Sequence, residues 1–599
     1  MEKLICLLYL LTGLFYDVSA QTIGSPDIQS SQIKPLKIIQ KGQGHYFVDF
    51  GKDAFGNLEL LFASAQADSL VIHLGEKLES PHTIDRKPGG TIRYQKVVLS
   101  QLPVKTPVTV KLPVDKRNTR VPAVLLPDSM GVIMPFRYAE IENLKVAIED
   151  VVVMQKVYNY RFNEEASYFT SSDTILNQVW DLCKHTIKAT SFAGIYIDGD
   201  RERIAYEADA YINQLSHYAV DNEYLLARRT NEHFINSPTW PTEWILHTVP
   251  LFYYDYLYTG NTAAISKHYE VLKNKTLMQL ERADGLIATD SARMTPGFLA
   301  GIGFRAGDKI KDIVDWPAKE RDGYEMVKVN TVVNSFYYLN LKLMSEMAGA
   351  IGQVADAAFF YRKADMVKKA INDKLLNKAT GIYVDGEGAG HSSLHANIFP
   401  LAFGIVPAEN IRQVVSFVRS RGMACSVYGA QYLLEALYQH GEADYALQLL
   451  SSTEGDRTWW NMIKAGSTMT LEAWDIKYKP NLDWNHAWGT APVNIVARHL
   501  WGITPSKPGF AKVAIRPQPG ALTFSKIKVP TIKGPIYAEY KQIERKVRLF
   551  IVEIPKGMTG EFIITAAPYA RIIKNNRVVR SNKDCLQLSE GVTHIKIIN

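Results

Sequence analysis

The sequence predicts a multidomain chain in which a toroid of six helical hairpins, an (α/α)6 barrel, lies between an N-terminal and a C-terminal β-sandwich. Three observations lead to it. Apolar residues alternate with period two as far as about Tyr160, change to helical spacing at Ser171, and return to alternation after Pro505. At 599 residues the chain is also too long for one hydrophobic core. The parts fall at 1–20 (a signal peptide), 21–165 (first sandwich), 166–503 (barrel) and 504–599 (second sandwich).

At the start, Met1-Glu2-Lys3 leads into the apolar stretch Leu4 to Phe15, and Val18-Ser19-Ala20 supplies small residues before Gln21. That is the pattern of a cleavable secretory signal. The apolar run falls short of the ~20 residues that span a bilayer. A periplasmic or secreted protein without stable membrane insertion is therefore expected.

In the first sandwich, His45 to Phe50, Leu58 to Phe62, Leu70 to Leu74, Thr91 to Leu99 and Val108 to Leu112 alternate and are punctuated by Gly, Pro and Asp. Longer strands are expected over Gly131 to Ile141 and Leu144 to Tyr158. The capping cluster Ser171-Ser172-Asp173 then precedes Ile175, Leu176, Val179 and Leu182 at helical spacing. Further amphipathic segments follow near 208–219, 222–235, 242–259, 264–283, 330–350, 356–376, 391–403, 408–421, 427–440, 443–453 and 485–502, with no strands expected between them. Roughly a dozen helices suit six hairpins, although a helical-repeat solenoid has the same periodicity. Beyond Ile503-Thr504-Pro505, alternation in Lys512 to Ile515, Ile527 to Val529, Ile536 to Tyr540 and Val547 to Ile554 marks the second, smaller sandwich.

Composition excludes several function classes. With 47% hydrophobic and 22% charged residues and a formal charge of +7, the chain has no Lys/Arg run interleaved with aromatics, so nucleic acid is not an expected partner. The 10 Trp and 31 Tyr suit stacking on sugar rings as well as core packing. Cys183, Cys425 and Cys585 in the mature chain are odd in number and widely spaced, so they form no disulfide framework, and no Cys/His cluster has zinc spacing. No cofactor or metal is expected.

Two segments carry candidate chemistry. Asp198-Gly199-Asp200-Arg201-Glu202-Arg203 to Tyr206 and Asp209 alternates acids and guanidiniums on a loop between the first two helices. Such alternation fixes carboxylates in different protonation states, and a solvated run of surface ion pairs has the same composition. In Gly466 to Asp475, Glu472 is a carboxylate in an apolar, aromatic setting; it reads either as a catalytic acid or base, or as a helix N-terminal acid. Carboxylates on opposing loops are what glycosidic hydrolysis requires.

Together these segments resemble the bacterial α-L-rhamnosidases of glycoside hydrolase family 78, in the six-hairpin glycosidase superfamily, over nearly all the mature chain. Arg201-Glu202-Arg203 with Tyr206 and Asp209 matches a DxxxRERxGWxGD type of motif. Trp460-Asn461-Met462-Ile463 through Glu472-Ala473-Trp474-Asp475 resembles a WGYMI…GATTxWExWD run, and Asn485-His486-Ala487 an LNH element. The resemblance implies exo-acting, inverting release of terminal α-L-rhamnose from oligo- or polysaccharides or glycosides, with Glu202 as general acid and Glu472 as general base. It further implies sugar contacts from Asp198, Asp200, Arg201, Asp209 and His486, with Tyr206, Trp460 and Trp474 at the pocket. Trp240, Trp244 and Trp316 are candidates for further walls. The sequence departs from the motif in three places: Asp198 lies one residue nearer the acid, and Tyr206 and Leu471 stand where the family has Trp. Those changes bear on which sugar is taken. The alternatives are an (α/α)6 enzyme on another sugar or on a uronate, such as a polysaccharide lyase recruiting Tyr206, His486 and Arg201, and a noncatalytic carbohydrate-binding relative.

Overall fold

A computed structural model of the chain describes residues 27–599 apart from 101, 291, 306, 565–569 and 580–584. The expected signal peptide, 1–20, lies outside the described residues. The helical part stands between two sheet-bearing parts.

Eight of the N-terminal strands hydrogen-bond into one sheet, and Leu78–Ser80 with Thr83–Ile84 forms a separate two-stranded pair. The expected strands at 45–50 and 58–62 are a single strand, His45–Phe62, whose register against Met134–Glu142 shifts between Asp49 and Ala54. That irregularity lets one half pair with Lys37–Gly42 and the other with Val151–Tyr160, so the sheet bends on itself. The last strand starts at Val151 instead of 144, because Ile148–Asp150 forms a 3-10 turn.

All twelve expected helices have counterparts. Thr174–Thr190 is capped by Asp173, whose carboxylate accepts the amides of Ile175 and Leu176 at 3.0 Å. Every residue of Glu207–Val220 is buried, as are nearly all of Val427–Gln439 and Leu394–Phe403. By contrast Val354–Lys374 and Ile411–Arg421 bury one stripe each. Inner helices enclosed on all sides thus alternate along the chain with outer helices that face water. Two expectations change. The 242–259 segment breaks into Thr242–Ile245 and Thr248–Thr259, and the 485–502 segment becomes a 3-10 turn, an α turn and a π turn in succession. The helical part also holds a two-residue strand pair, Leu376–Asn377 with Ile382–Tyr383, which the helical periodicity gave no reason to expect.

The C-terminal part has a seven-stranded and a four-stranded sheet. The edge strand of the former, Tyr168–Ser171, comes from the segment just before the first helix and pairs with Phe524–Val529. Helical and C-terminal parts share one hydrophobic core, whereas the N-terminal sheet has its own and contributes Phe55, Ile92, Val124 and Ile133 to the larger one. Among the described residues no helix is long and apolar enough to cross a membrane.

Candidate active site

The acidic loop is buried, which rules out a solvated charge run. Between the helices Thr174–Thr190 and Glu207–Val220 it makes a tight reversal. Asp198 N donates to Ile204 O (2.8 Å), Asp198 Oδ1 accepts Ile204 N (2.9 Å), and Arg203 N donates to Gly199 O (3.0 Å). Arg203 closes the turn at φ +51° and sends its guanidinium away from the pocket, to Asp200 Oδ1 (2.6 Å) and Ile133 O (2.8 Å). The turn thereby sorts its charges. Asp198, Arg201 and Glu202 line a pocket of about 240 Å3. Asp200 does not; Arg203, Arg93 (3.0 Å) and Asn118 hold it in the seam with the N-terminal sheet, so its expected sugar contact is replaced by a structural one.

The second segment, 469–486, is irregular rather than a helix start, so Glu472 is not a helix N-terminal acid. Glu472 N donates to Asp483 O (3.3 Å), and Trp488 Nε1 donates to Glu472 O (2.9 Å). The Glu472 carboxylate faces two cations: a two-pronged bond from Arg201 (2.6 and 2.8 Å) and the ammonium of Lys479 at 3.3 Å. Arg201 also donates from Nε to Glu202 Oε1 (3.2 Å) and from Nη1 to Asn481 O (3.0 Å). One guanidinium therefore spans both glutamates, the geometry for which its planar fork is suited. Glu202 receives a second bond from Tyr206 Oη at 3.1 Å. The two carboxylates differ in setting, with side chains 38% exposed for Glu202 and 3% for Glu472.

Behind them lies a buried chain of charge. His486 stands between Asp209 (Nε2–Oδ1, 2.9 Å) and Asp483 (Nδ1–Oδ1, 3.2 Å). Burial alone would lower its pKa, but the two carboxylates outweigh it and hold the imidazole protonated well above its usual range. Burial, reinforced by Glu202, Asp483 and Asp209 and only partly offset by His486, pushes the Asp198 carboxyl well above the ordinary carboxylate range. Two buried polar atoms on pocket-lining residues have no protein partner, Asp198 Oδ2 and Trp244 Nε1. Each would be satisfied by a polar ligand, at a cost of about 1–3 kcal/mol when left unmet. Glu472, Asp483 and His486 offer ligand atoms within 4.8 Å of one another. Arg201 and Lys479 already balance that cluster and both nitrogens of His486 are engaged by carboxylates, so the donor set does not fit a metal ion.

Of the residues expected at the site, the pocket gathers Asp198, Arg201, Glu202, Tyr206, Asp209, Trp240, Trp244, Trp316, Glu472 and His486. Besides Asp200, two do not reach it. Trp474 is fully buried, bonded through Nε1 to Cys425 O (2.7 Å) and packed edge-on against Trp459, while Trp460 is half-buried on the helix Trp459–Lys464. Lys479, Asn481, Trp488, Pro241 and Ile313 line the pocket without having been singled out. Trp488, two residues beyond His486 in an aromatic run, carried a usable signal; Lys479 and Asn481 sit in a polar stretch that reads as surface. A lyase-type use of Tyr206 or His486 as base has no support here. The Tyr206 hydroxyl is bonded to Glu202 and raised by burial, and His486 is a cation between two carboxylates.

Residues 164–500 match the bacterial alpha-L-rhamnosidase 6 hairpin glycosidase domain, and residues 502–578 the bacterial alpha-L-rhamnosidase C-terminal domain. An alpha-L-rhamnosidase of Formosa agariphila is 23% identical over 496 residues, which cover 74% of this chain and 49% of that protein. The chain thus spans about half the length of this relative. Among solved structures, the alpha-L-rhamnosidase from Dictyoglumus thermophilum superposes with a TM-score of 0.77 at 17% identity, over 96% of this chain and 64% of the other. The Streptomyces avermitilis alpha-L-rhamnosidase complexed with L-rhamnose gives 0.73 at 16%, over 95% and 53%. These two likenesses speak for the fold. With more than half of its residues matched to the six-hairpin domain, the chain belongs to the bacterial alpha-L-rhamnosidase family of six-hairpin glycosidases.

Proposed function

We propose that this protein removes terminal α-L-rhamnose from oligosaccharides, polysaccharides or glycosides with inversion, Glu202 acting as general acid and Glu472 as general base. The observation that carries the reading is that these two glutamates, from loops far apart in sequence, line one aromatic-walled pocket of about 240 Å3. That volume is below the roughly 300–1,000 Å3 of sites for drug-sized ligands and suits a single sugar ring, hence exo-action. The alternation of enclosed and one-faced helices fits six hairpins closed into an (α/α)6 barrel with the pocket loops at one end.

The chemistry follows from the setting of each carboxylate. Glu202, the exposed one, meets the glycosidic oxygen where the leaving group departs to solvent, and delivers its proton there. Glu472 orients the attacking water through the lone pairs its cations leave free. The Arg201 guanidinium interposed between them favours the ~6.5–9.5 Å separation of an inverting pair over the ~5–5.5 Å of a retaining one. Asp198 and Asp209 hold sugar hydroxyls, the latter set by His486, and Trp240, Trp244 and Trp316 shape the walls. The Met1-to-Ala20 segment directs the enzyme to the periplasm or the exterior, where such glycans are met.

The experiment is hydrolysis of a panel of p-nitrophenyl glycosides including the α-L-rhamnopyranoside, with the product anomer followed by proton NMR. Release of β-L-rhamnose as first product is expected. First release of the α anomer would overturn inversion, and turnover of other glycosides with none of this one would overturn the sugar.

A further inference from the structure

The pocket wall facing the acidic loop stands on two loops without a catalytic group. One is Thr239-Trp240-Pro241, leading into the helix Thr242–Ile245; the other, 310–317, brings Ile313 and Trp316 to the pocket. They run side by side, Lys311 N donating to Trp240 O and Thr242 N to Lys311 O, both at 3.0 Å.

Each loop is fastened from behind by a fully buried glutamate that does not line the pocket. Glu207, first residue of its helix, accepts Thr239 N at 3.0 Å and also the Thr239 hydroxyl. Glu243 accepts Ile313 N at 3.0 Å on one oxygen and Val314 N at 2.9 Å on the other. Val314 needs such a hold. At φ +65° it occupies the left-handed region that a β-branched residue rarely adopts, and such a conformation persists only where its surroundings over-determine it. Two successive amides aimed at one carboxylate do so, at the turn between the pocket residues Ile313 and Trp316.

We propose that Glu243 and Glu207 are positioning residues that set the gap between Trp316 and Trp240 and so select the sugar ring the pocket accepts. The proposal rests on the reading of this pocket as a monosaccharide site. A carboxylate suits the task because both of its oxygens accept. At Glu243 an amide of the same shape would turn a donor toward Ile313 N or Val314 N, whereas at Glu207 it would reverse the bond with the Thr239 hydroxyl and keep the one from Thr239 N. Neither residue touches the pocket, so their effect should fall on binding rather than on proton transfer.

The test uses the full-length protein with Glu243→Gln and Glu207→Gln, p-nitrophenyl α-L-rhamnopyranoside as substrate and free L-rhamnose as competitor. KM and the rhamnose inhibition constant are expected to rise about tenfold in Glu243→Gln, the size of one buried hydrogen bond left unmade, and by less in Glu207→Gln, while the pH profile of kcat keeps its shape. In Glu243→Gln the amides of Ile313 and Val314 should exchange hydrogen faster, a readout that needs no substrate. Adding Val314→Gly should bring KM back toward wild type even as the melting temperature falls, because glycine adopts φ +65° without help. Unchanged KM in both glutamine variants, or a KM that follows melting temperature with no recovery in the double variant, overturns the proposal. A wild-type protein that turns over no rhamnoside overturns the reading of the ligand instead; unchanged exchange at Ile313 and Val314 would then overturn the fastening by Glu243.

Discussion

Replacing each glutamate by glutamine should separate the acid from the base, because the two stand in different surroundings. Glu202 is 38% exposed and accepts Arg201 Nε on Oε1 and the Tyr206 hydroxyl on Oε2; a glutamine keeps the first bond through its amide oxygen and can donate its NH2 to the Tyr206 oxygen in place of the second. Glu202→Gln should therefore leave stability within about 0.5 kcal/mol of wild type and remove only the proton. General acid catalysis contributes roughly 10²- to 10⁴-fold, or about 2.7–5.5 kcal/mol of barrier, and the loss should shrink as the leaving group improves. Glu472→Gln removes the counter-charge of two cations at a site 3% exposed, so it should cost about 3–5 kcal/mol of stability as well as turnover. Its kinetic loss should be the same for all leaving groups. The assay is kcat/KM across a series of aryl α-L-rhamnosides of falling phenol pKa, with thermal unfolding run in parallel. A wild-type rate for Glu202→Gln on the poorest leaving group, or the same leaving-group dependence for both variants, would refute the assignment of roles.

Three further outcomes follow from the packing. Gly199 has no room for a side chain, since a Cβ there would lie 2.5 Å from Asp483 Oδ2; Gly199→Ala should displace that carboxylate from His486, cost about 1–3 kcal/mol in melting experiments, and lower kcat/KM at least tenfold. Asp53 and Glu76 are buried beside each other and burial raises both, Asp53 to about 7 and Glu76 well above the ordinary carboxylate range, so the pair binds protons in the folded state that the unfolded chain releases near the ordinary values. Stability should thus fall as pH rises from about 4 through 7, by up to about 1.4 kcal/mol per pH unit for each proton, and Asp53→Asn should gain in melting temperature relative to wild type over that window. A difference that stays flat from pH 5 to 7 would contradict this. Gly90, at φ +56° and with Leu482 O 2.6 Å from a Cβ position, should on change to Ala lower kcat/KM through the 475–485 segment, with the pH profile retained.

The sequence was most legible where one physical signal acted alone. Each of the twelve segments with helical periodicity holds helical turns, since an amphipathic or enclosed helix must place its apolar residues in register with 3.6 residues per turn, whereas the six-residue helices Pro296–Gly301 and Trp459–Lys464 are too short to show a period. Strand limits were less legible: a bulge inside His45–Phe62 is a backbone event that alternation does not record. Glu472 stood out because charge in an apolar setting needs a reason, but its pairing with Glu202 came from the resemblance to the family's motifs and not from residue chemistry alone. Asp198 and Asp200 could not be told apart, because the deciding fact is the left-handed Arg203 just beyond Glu202, whose guanidinium holds Asp200 away from the pocket that Asp198 lines. Trp474 looked like a wall and is core, because distance along the chain from Glu472 says nothing about which side of an irregular segment a ring takes.

The loops of the N-terminal part belong to the site's construction even though none of its residues lines the pocket. Asn118 donates to Asp200 O, Val124 N donates to Arg203 O at 2.8 Å, and Ile133 O receives Arg203, so both ends of the turn that presents Arg201 and Glu202 are tied to loops of the N-terminal part. The loop bearing Glu472 is tied to it as well. Thr91 bonds to the carbonyls of Asn481 and Leu482, and Glu76 accepts Asn485 Nδ2 at 2.9 Å while Asn485 Oδ1 accepts Asp200 N at 2.8 Å. Asn485 thus joins the two glutamate-bearing loops to each other and to the N-terminal part. Most of these links are backbone groups or uncharged amides in buried surroundings, where an unmade bond costs more than a made one contributes. Removing the sheet would expose Phe55 and Ile133's partners in the shared core and strand those groups together. The placement of Arg201 between Glu202 and Glu472 therefore depends on a part of the chain that does not line the pocket.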